Sequence, residues 1–255
     1  MSNPQINLTP AQKASFAANG FLTLEPITTE SELATLRTLF DSLFAQRVGY
    51  KDGNLFDLTA ADPKGQTTTV PQMLFPSKYA PELTQTSYWQ NALSIAMQLL
   101  DVGHYGREDL IVRDHAIVKP PGSTGATPWH QDEAYWEEHL DYNELSVWMP
   151  LQTTSVEMGC MQFIPRSHLG EVLSHHPMNN NPKIIALEVD EGLINESKAV
   201  ACPLPAGGVT IHAARTLHYT SGNKSAVPRR AYILTIGTPP QKRELPRNFP
   251  WNHRH

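Results

Sequence analysis

Hydrophobic residues follow two different spacings along this chain. Over residues 33–44 they recur three or four positions apart, as on one face of an amphipathic helix; they are Leu33, Leu36, Phe40, Leu43 and Phe44. From Leu110 onward the apolar residues instead form short runs that Pro and Gly interrupt, a pattern typical of β-strands joined by turns. The pattern therefore predicts a helical N-terminal part followed by a β-rich part.

The ends of the first two helices carry capping signals. Thr9 is an N-cap candidate with Pro10 at the first helical position, and Gly20 is the matching C-terminal stop. The stretch "GFLTLEP" that follows predicts a short strand. Thr29, with Glu32 three residues later, has the pattern of a capping box at the start of the second helix.

Two further segments complete the N-terminal part. Glu82–Asp101 again has helical spacing. Asn54–Tyr79 mixes Pro, Thr, Gly and Lys without a period, which predicts irregular surface structure or a loop near a cleft.

Six runs predict the strands of the β-rich part: "LIVRDHAIVKPP", "LSVWMPLQ", "MQFIP", "KIIALEV", "GGVTIHA" and "RRAYILTIG". Regular helices do not alternate with them, so the pattern favours an antiparallel sandwich or barrel, most economically a jelly roll, over a parallel α/β sheet. We expect one domain over 1–255, with mainly helical support over 1–105, a β core over 106–240 and a C-terminal tail over 241–255.

Composition narrows the range of partners. The formal charge of -5 is spread along 255 residues, so no basic patch suggests nucleic acid. The two cysteines, Cys160 and Cys202, are too few for a disulfide scaffold, and we expect both to be buried as small hydrophobic side chains. No segment has the pattern of a membrane span or a secretory signal. We therefore expect a cytoplasmic protein that acts on a small molecule, with no membrane, nucleic acid or protein partner.

Candidate chemistry begins with "TPWHQDEAYW", Thr127–Trp136. If this stretch is a strand, His130 and Asp132 point to the same face and Gln131 points away. An imidazole and a carboxylate suit a divalent first-row metal, and a second histidine would complete a two-histidine, one-carboxylate site. Alone, the pair could equally be a surface pair or a hydrogen-bonded core histidine.

A second segment, "GGVTIHAARTLHYTSGNKSAVPRRAYIL", offers the missing groups. His218 is favoured over His212 as the second histidine, because Thr220 lies two positions later on the same strand face and adds a hydroxyl. An arginine fork can hold a carboxylate at two points. Neighbouring strand residues face opposite ways, so at most one of Arg229 and Arg230 points inward.

These motifs together resemble one enzyme family. The "HQD" of Thr127–Trp136, "LSVWMPL", "GCMQFIPRSH", "LHYTSGNKSAVPRRA" and the opening "LTPAQKASFAANGFLTL" are similar to the phytanoyl-CoA dioxygenase family of non-haem iron(II), 2-oxoglutarate-dependent oxygenases. The resemblance implies a mainly β fold with flanking helices around a double-stranded β-helix, which is a cupin-like jelly roll. It also implies iron(II) ligands at His130, Asp132 and His218.

The same resemblance implies a binding site for 2-oxoglutarate. In the family an arginine follows the distal histidine by eleven positions, which here indicates Arg229 as the partner of the far carboxylate. Thr220 stands where the family commonly has serine and keeps the hydroxyl. Gln131 and Trp148 match positions that line the cosubstrate pocket in relatives. Lys119 is either a further polar contact there or a solvated lysine at a strand end.

The activity implied is hydroxylation of a small organic substrate, with iron(II), 2-oxoglutarate and O2 as cofactors and succinate and CO2 as products. Halogenation is disfavoured, since related halogenases replace the carboxylate that this chain keeps at Asp132. The family's acyl-CoA substrate is not transferred, because no basic cluster suits the CoA phosphates. The segments Asn54–Tyr79 and His175–Lys183 are candidates for the substrate entrance. The alternative is a non-catalytic or differently metallated cupin-like binding protein.

Overall fold

The computed structural model describes residues 6–61 and 69–252. Its α-helices are α1 (Pro10–Asn19), α2 (Glu30–Ala45), α3 (Pro76–Tyr79) and α4 (Ser87–Leu99). A 3-10 helix over Pro81–Gln85 precedes α4, so the predicted helix Glu82–Asp101 is present in two pieces. No helix within the described ranges is both long and apolar enough to cross a membrane.

Capping explains where the first two helices begin. The Thr9 side chain accepts a hydrogen bond from the Gln12 backbone amide at 3.2 Å, and the Gln12 side chain accepts one from the Thr9 backbone amide. Gly20 ends α1 with a left-handed backbone, at φ 83. The Thr29 side chain likewise accepts from the Glu32 backbone amide at the start of α2, but the Glu32 side chain does not accept from the Thr29 backbone amide. The predicted helix start is therefore confirmed, and the predicted capping box is only half formed.

Fifteen strands were assigned within the described residues. They are β1 (Phe21–Leu24), β2 (Leu55–Asp57), β3 (Pro71–Leu74), β4 (Ile111–Lys119), β5 (Thr127–His130), β6 (Leu140–Asp141), β7 (Glu144–Pro150), β8 (Met161–Phe163), β9 (His175–Pro177), β10 (Leu187–Val189), β11 (Val200–Cys202), β12 (Val209–Ala213), β13 (His218–Thr220), β14 (Arg229–Gly237) and β15 (Gln241–Lys242).

Two antiparallel sheets form the body of the fold. The major sheet has the order β1-β12-β7-β14-β4-β3-β2, and the minor sheet has the order β11-β8-β13-β5. Trp148 and Ile233 from the major sheet share one apolar cluster with Met161 and Phe163 from the minor sheet, so the two sheets face each other. This arrangement confirms the predicted mainly β jelly roll with flanking helices.

The helices cover the other face of the major sheet. Along β7 and β14, Val147 and Tyr232 point to this outer face and pack in the main core with Leu36 of α2. Tyr88 of α4 donates its hydroxyl hydrogen toward the carbonyl oxygens of Val147 at 2.7 Å and Tyr232 at 3.0 Å. Both faces of the sheet are thus buried, which is why every residue of β7 is buried, including the polar Glu144 and Ser146.

The N-terminal part also contributes strands. Besides α1 to α4, residues 1–105 contain β1, β2 and β3 of the major sheet, and β1 is the strand predicted at "GFLTLEP". Asn54–Tyr79 was expected to be irregular, yet it contains β2, β3 and α3; its residues 62–68 lie outside the described ranges. β2 and β3 are three and four residues long, too short to show a period in sequence.

Candidate active site

A cavity of about 350 Å³ lies between the two sheets. Strand parity decides what lines it: on β4, Arg113, His115 and Ile117 point inward, and their neighbours point outward or along the edge. The minor sheet closes the opposite side with His130, His218 and Thr220. Every side chain predicted to bind metal therefore opens into this cavity.

Three potential metal ligands meet at one end of the cavity. His130 ends β5 and His218 begins β13, and their Cα atoms are direct partners across the two strands. Asp132 was expected to share a strand with His130, but β5 ends at His130 and Asp132 begins a 3-10 helix. The expected orientation survives because Gln131 between them keeps an extended backbone, with φ -118 and ψ 132.

The ligand atoms converge on a common point. Asp132 Oδ1 lies 3.7 Å from His130 Nε2 and 3.5 Å from His218 Nε2. His130 Nδ1 is 2.7 Å from the Pro128 carbonyl, and His218 Nδ1 is 2.9 Å from the Thr216 carbonyl. Because a carbonyl only accepts, each Nδ1 carries the hydrogen and each Nε2 keeps its lone pair for a metal.

The second oxygen of Asp132 is held separately. Ser146 donates to Oδ2 at 2.8 Å, and His212 Nε2 lies 3.3 Å from the same oxygen. His212 is thus beside the ligand group and not within it, as its sequence position suggested. Its Nδ1 has no partner among the described residues.

The electrostatics of this group suit a cation. Burial would raise the pKa of Asp132, but His218 together with the other histidines holds it well below its usual range, so the carboxylate is charged at neutral pH. Burial and the neighbouring imidazoles lower the pKa of His218, so its ring is neutral. Two imidazoles and one carboxylate are the donor set expected for a divalent first-row metal. The residues present therefore fit iron(II).

Arg229, which is 1% exposed, lines the same cavity from β14. Its Nε and Nη1 have no acceptor among the described residues, and its guanidinium sits 5.4 Å from the Trp148 ring centre. Burial lowers the pKa of Arg229 to about 10, so it remains charged at neutral pH. Arg230 points to the outer face, where it binds both carboxylate oxygens of Asp41 at 2.6 and 2.8 Å. The prediction that only one of the two arginines faces inward is confirmed.

The remaining predicted cofactor contacts divide. Thr220 and Trp148 line the cavity. Gln131 does not line the cavity. Its side-chain nitrogen donates to the Arg215 carbonyl at 2.8 Å, and its side-chain oxygen accepts from the Leu173 backbone amide at 2.8 Å. Strand alternation therefore turns this side chain away from the cosubstrate position. Lys119 is neither solvated nor a lining residue, because it is fully buried and donates to Thr220 and Ser221.

Among the polar residues of the site, the sequence pattern did not single out His115 or Ser146. His115 lines the cavity from β4, and burial lowers its pKa to about 4. Ser146 holds Asp132 from β7. Strand alternation would have found both. His115 is two positions from Ile117 and four from Lys119, and Ser146 is two positions from Trp148, so each shares a strand face with those residues.

The expected entrance segments both lie near the cavity, with different roles. Asn54–Tyr79 supplies Phe56, Leu58, Gln72, Leu74 and Phe75 to the lining. His175–Lys183 does not reach the lining, although His175 Nε2 accepts from the Gln131 amide at 3.2 Å. Of the aromatic residues around His130, Tyr135 and Trp136 line the cavity, while Trp129 stacks on Tyr219 with ring centres 5.3 Å apart.

Comparison with known proteins agrees with this geometry. The family model described as phytanoyl-CoA dioxygenase matches residues 16–231. A curated relative, the probable alpha-ketoglutarate-dependent hypophosphite dioxygenase of Stutzerimonas stutzeri, is 30% identical over 134 residues, which are 51% of this chain and 46% of that protein. Phytanoyl-CoA dioxygenase domain-containing protein 1 of Bos taurus is 28% identical over 50% of this chain and 44% of its own length. The matches thus span about half the length of these curated relatives.

A solved structure matches over nearly the whole chain. EvdO2 from Micromonospora carbonacea var. aurantiaca, in its complex with 2-oxoglutarate, is 33% identical, covers 98% of this chain and 99% of its own, and has a TM-score of 0.82. The carbocyclase SnoK from nogalamycin biosynthesis, 22% identical with a TM-score of 0.70 over 93% of this chain and 87% of its own, shares the fold.

Proposed function

Because this chain belongs to the phytanoyl-CoA dioxygenase family, we propose that it is an iron(II)- and 2-oxoglutarate-dependent dioxygenase that hydroxylates a small organic substrate. The observation that carries the proposal is a cavity lined by two complementary groups. One group gathers His130 Nε2, Asp132 Oδ1 and His218 Nε2, and the other presents the unpaired donors of Arg229.

Each group has a defined task in this proposal. His130, Asp132 and His218 hold iron(II), which with 2-oxoglutarate and O2 supplies oxidation of a C–H bond with release of succinate and CO2. Arg229 and Thr220 bind the far carboxylate of 2-oxoglutarate, and Trp148 forms the wall beneath the guanidinium. The two sheets exclude bulk water from the reacting groups.

The mouth of the cavity supports an organic substrate. Its lining includes Phe56, Leu74, Phe75, Tyr135 and Trp136, which offer apolar and aromatic contact, with Gln72 and His115 as polar points. An inorganic anion such as hypophosphite, named for one curated relative, would leave this aromatic surface unused. A cytoplasmic location stays a prediction, supported by the free and buried Cys160 and Cys202.

The proposal is tested by anaerobic titration of the metal-free protein with iron(II) and then 2-oxoglutarate, following the visible charge-transfer band of the chelate. We expect the band in the wild type and not in His218→Ala. Arg229→Ala should need much more 2-oxoglutarate to form it. Arg230→Ala is the matched control, because its side chain lies on the outer face beside Asp41, and it should titrate like the wild type.

The outcomes separate the proposal from its alternative. Iron binding without a chelate band at any 2-oxoglutarate concentration would reject the dioxygenase and favour a metal-binding protein of another kind. Uncoupled succinate formation by the wild type under air, absent in His218→Ala, would support the activity before a substrate is found. Small organic molecules and hypophosphite are then compared for their ability to accelerate that turnover.

A further inference from the structure

Lys119 is a lysine at the end of β4 that is buried without an acidic partner. It is 0% exposed, and no ion pair joins it to a carboxylate within residues 6–61 and 69–252. Its Nζ donates to the carbonyls of Thr220 at 3.0 Å and Ser221 at 2.7 Å, and to the Thr220 hydroxyl at 2.8 Å. Burial of a polar group is tolerated when its hydrogen bonds are made, and here three acceptors surround one ammonium group.

Lys119 also faces the arginine of the proposed cosubstrate site. The Cα atoms of Lys119 and Arg229 are direct partners on β4 and β14, so both side chains leave the same face of the major sheet. Burial, and then the nearby Arg229 charge, lower the pKa of Lys119 well below its usual value. An anion bound beside Arg229 in the adjoining cavity would oppose this shift and favour the ammonium form of Lys119.

The proton count of Lys119 decides what the Thr220 hydroxyl can do. Carbonyl oxygens only accept, so two Nζ hydrogens go to Thr220 O and Ser221 O. In the ammonium form the third hydrogen goes to Thr220 Oγ1, which must then direct its own hydrogen elsewhere. A neutral amine would instead accept from the hydroxyl and occupy it.

The hydrogen of the Thr220 hydroxyl can then point into the cavity. Thr220 lines the cavity together with Arg229, whose Nε and Nη1 have no acceptor among the described residues. We propose that Lys119 is a positioning residue: its ammonium group turns the Thr220 hydroxyl into a donor, which joins Arg229 in binding the far carboxylate of 2-oxoglutarate. This inference rests on the proposed function.

The test compares two ligands of equal length on the manganese(II)-loaded protein by calorimetry. 2-Oxoglutarate has the far carboxylate, while 2-oxopentanoate keeps the 2-oxo acid head and ends in a methyl group. Lys119→Met removes all three donors at similar length, and Thr220→Val removes the hydroxyl at similar volume. We expect each to weaken 2-oxoglutarate binding about 10- to 100-fold and to leave 2-oxopentanoate binding unchanged.

A double variant separates positioning from an independent contact. If Lys119 acts through Thr220, the double variant Lys119→Met with Thr220→Val binds 2-oxoglutarate no more weakly than the single variant with the lower affinity, because the two losses are not additive. Thr220→Ser, which keeps a hydroxyl, should retain the 2-oxoglutarate affinity that Thr220→Val loses. Asn223→Ala is the control for local damage, since Asn223 is buried at the same corner and donates to the Lys119 carbonyl at 3.0 Å; it should lower the melting temperature without a selective loss for 2-oxoglutarate.

Each outcome has one meaning. Equal loss of both ligands in Lys119→Met, or additive losses in the double variant, would overturn the positioning role while the proposed function stands. A wild type that binds manganese(II) but not 2-oxoglutarate would instead overturn the proposed function. Should Lys119→Met fail to fold, Lys119→Gln carries the same comparison, because its amide offers two donors for three acceptors.

Discussion

At the scale of single residues, Asp132 divides its two carboxylate oxygens between different partners. Oδ1 faces the two histidine nitrogens, and Oδ2 is fixed by Ser146 and His212. A carboxylate held in this way presents one oxygen to a metal in a set direction, so the precision of the site depends on Ser146 as well as on the ligands.

We therefore expect Ser146→Ala to weaken iron(II) binding about tenfold, because hydrogen-bond partners of metal ligands typically contribute that much to affinity. Competition between the protein and a chelator of known affinity measures the change. Thr210→Val is the matched control: Thr210 is buried on the neighbouring strand β12, and its hydroxyl has no partner among the described residues. Equal affinity of Ser146→Ala and Thr210→Val would contradict the role of Ser146.

The candidate metal ligands His130, Asp132 and His218 could be predicted from sequence, because each lies in a motif of the family and the extended backbone of Gln131 keeps the strand alternation from His130 to Asp132. The outward direction of Gln131 could also be predicted, since it lies between two inward side chains, and its family position was the weaker guide. The contacts of Lys119 could not be predicted. The partner of Lys119 lies 101 residues away in sequence, and no local pattern shows that its Nζ meets Thr220.

At the scale of elements, α2 caps α4. The two Glu32 carboxylate oxygens accept from the Ser87 amide at 2.7 Å and the Tyr88 amide at 3.0 Å, the first two amides of α4. Thr86 accepts from the third, the Trp89 amide, at 3.2 Å. A negative side chain at a helix N-terminus satisfies free donors and interacts well with the helix dipole. The Thr29–Glu32 pattern in sequence is that of a local capping box, whereas the contact formed joins two helices.

We expect Glu32→Ala to lower the free energy of unfolding by about 1–2 kcal/mol, the range for loss of an N-terminal cap. Glu30→Ala, on the same helix, removes an exposed ion pair with Arg37. It should change the free energy of unfolding by less than about 1 kcal/mol. Urea unfolding of both variants gives the comparison. If Glu30→Ala were the more damaging of the two, the cap would not be the source of the stability.

A second contact between elements fixes α3 at the cavity mouth. Asp114 of β4 accepts from the Ser77 amide at 2.9 Å, the Ser77 hydroxyl at 2.8 Å and the Tyr232 hydroxyl at 2.9 Å. The adjacent Phe75 has a left-handed backbone with φ 52, although it carries a bulky side chain. The amide of Phe75 donates to the Asp114 carbonyl at 2.7 Å, so Asp114 holds both ends of this short turn.

The charge state of Asp114 makes this contact pH-dependent. Burial raises the pKa of Asp114 above its ordinary value of 3.8, although its three donors oppose the rise. A raised carboxyl pKa means that the folded state binds the proton more tightly, so the contribution to stability is present below pH 3.8 and is lost as pH rises through the folded pKa. We expect the stability of the wild type relative to Asp114→Asn to fall as pH rises from about 4 to 7.

Asp52 supplies the control of opposite sign. A hydrogen bond from the Tyr79 hydroxyl, and then Lys78, lower its pKa below 3.8, so its contribution is present above that pH and is lost as pH falls. The stability of the wild type relative to Asp52→Asn should therefore be nearly constant from about pH 4 to 7 and fall only below pH 3.8. Urea unfolding at several pH values measures both; a stability relative to Asp114→Asn that also stays constant above about pH 4 would show that burial does not govern Asp114.

At the scale of the whole molecule, the fold places the candidate metal ligands and Arg229 on different structural supports. His130 and His218 come from β5 and β13 of the minor sheet and Asp132 from the 3-10 helix after β5, while Arg229 and Lys119 come from the major sheet. The jelly roll itself could be predicted from the strand runs and turn residues. The attachment of β2 and β3 beside β4 could not, because it depends on pairing with a strand that starts more than thirty residues later.

A ligand that touches both supports should stabilise the folded state in two separable steps. Binding to the folded state alone adds about 2.7 kcal/mol when the free ligand is at 100 times its dissociation constant. We expect manganese(II) to raise the melting temperature of the metal-free wild type, and 2-oxoglutarate to raise it again only when metal is present. A chelator should reverse both steps.

The variants divide these two steps because each support holds a different part of the ligand. Arg229→Ala should keep the metal step and lose most of the 2-oxoglutarate step, since the minor-sheet ligands are intact. His218→Ala should lose both, and Arg230→Ala, on the outer face, should keep both. A full 2-oxoglutarate step in Arg229→Ala would show that the major sheet does not bind the far carboxylate. A 2-oxoglutarate step without metal would place the acid away from His130, Asp132 and His218.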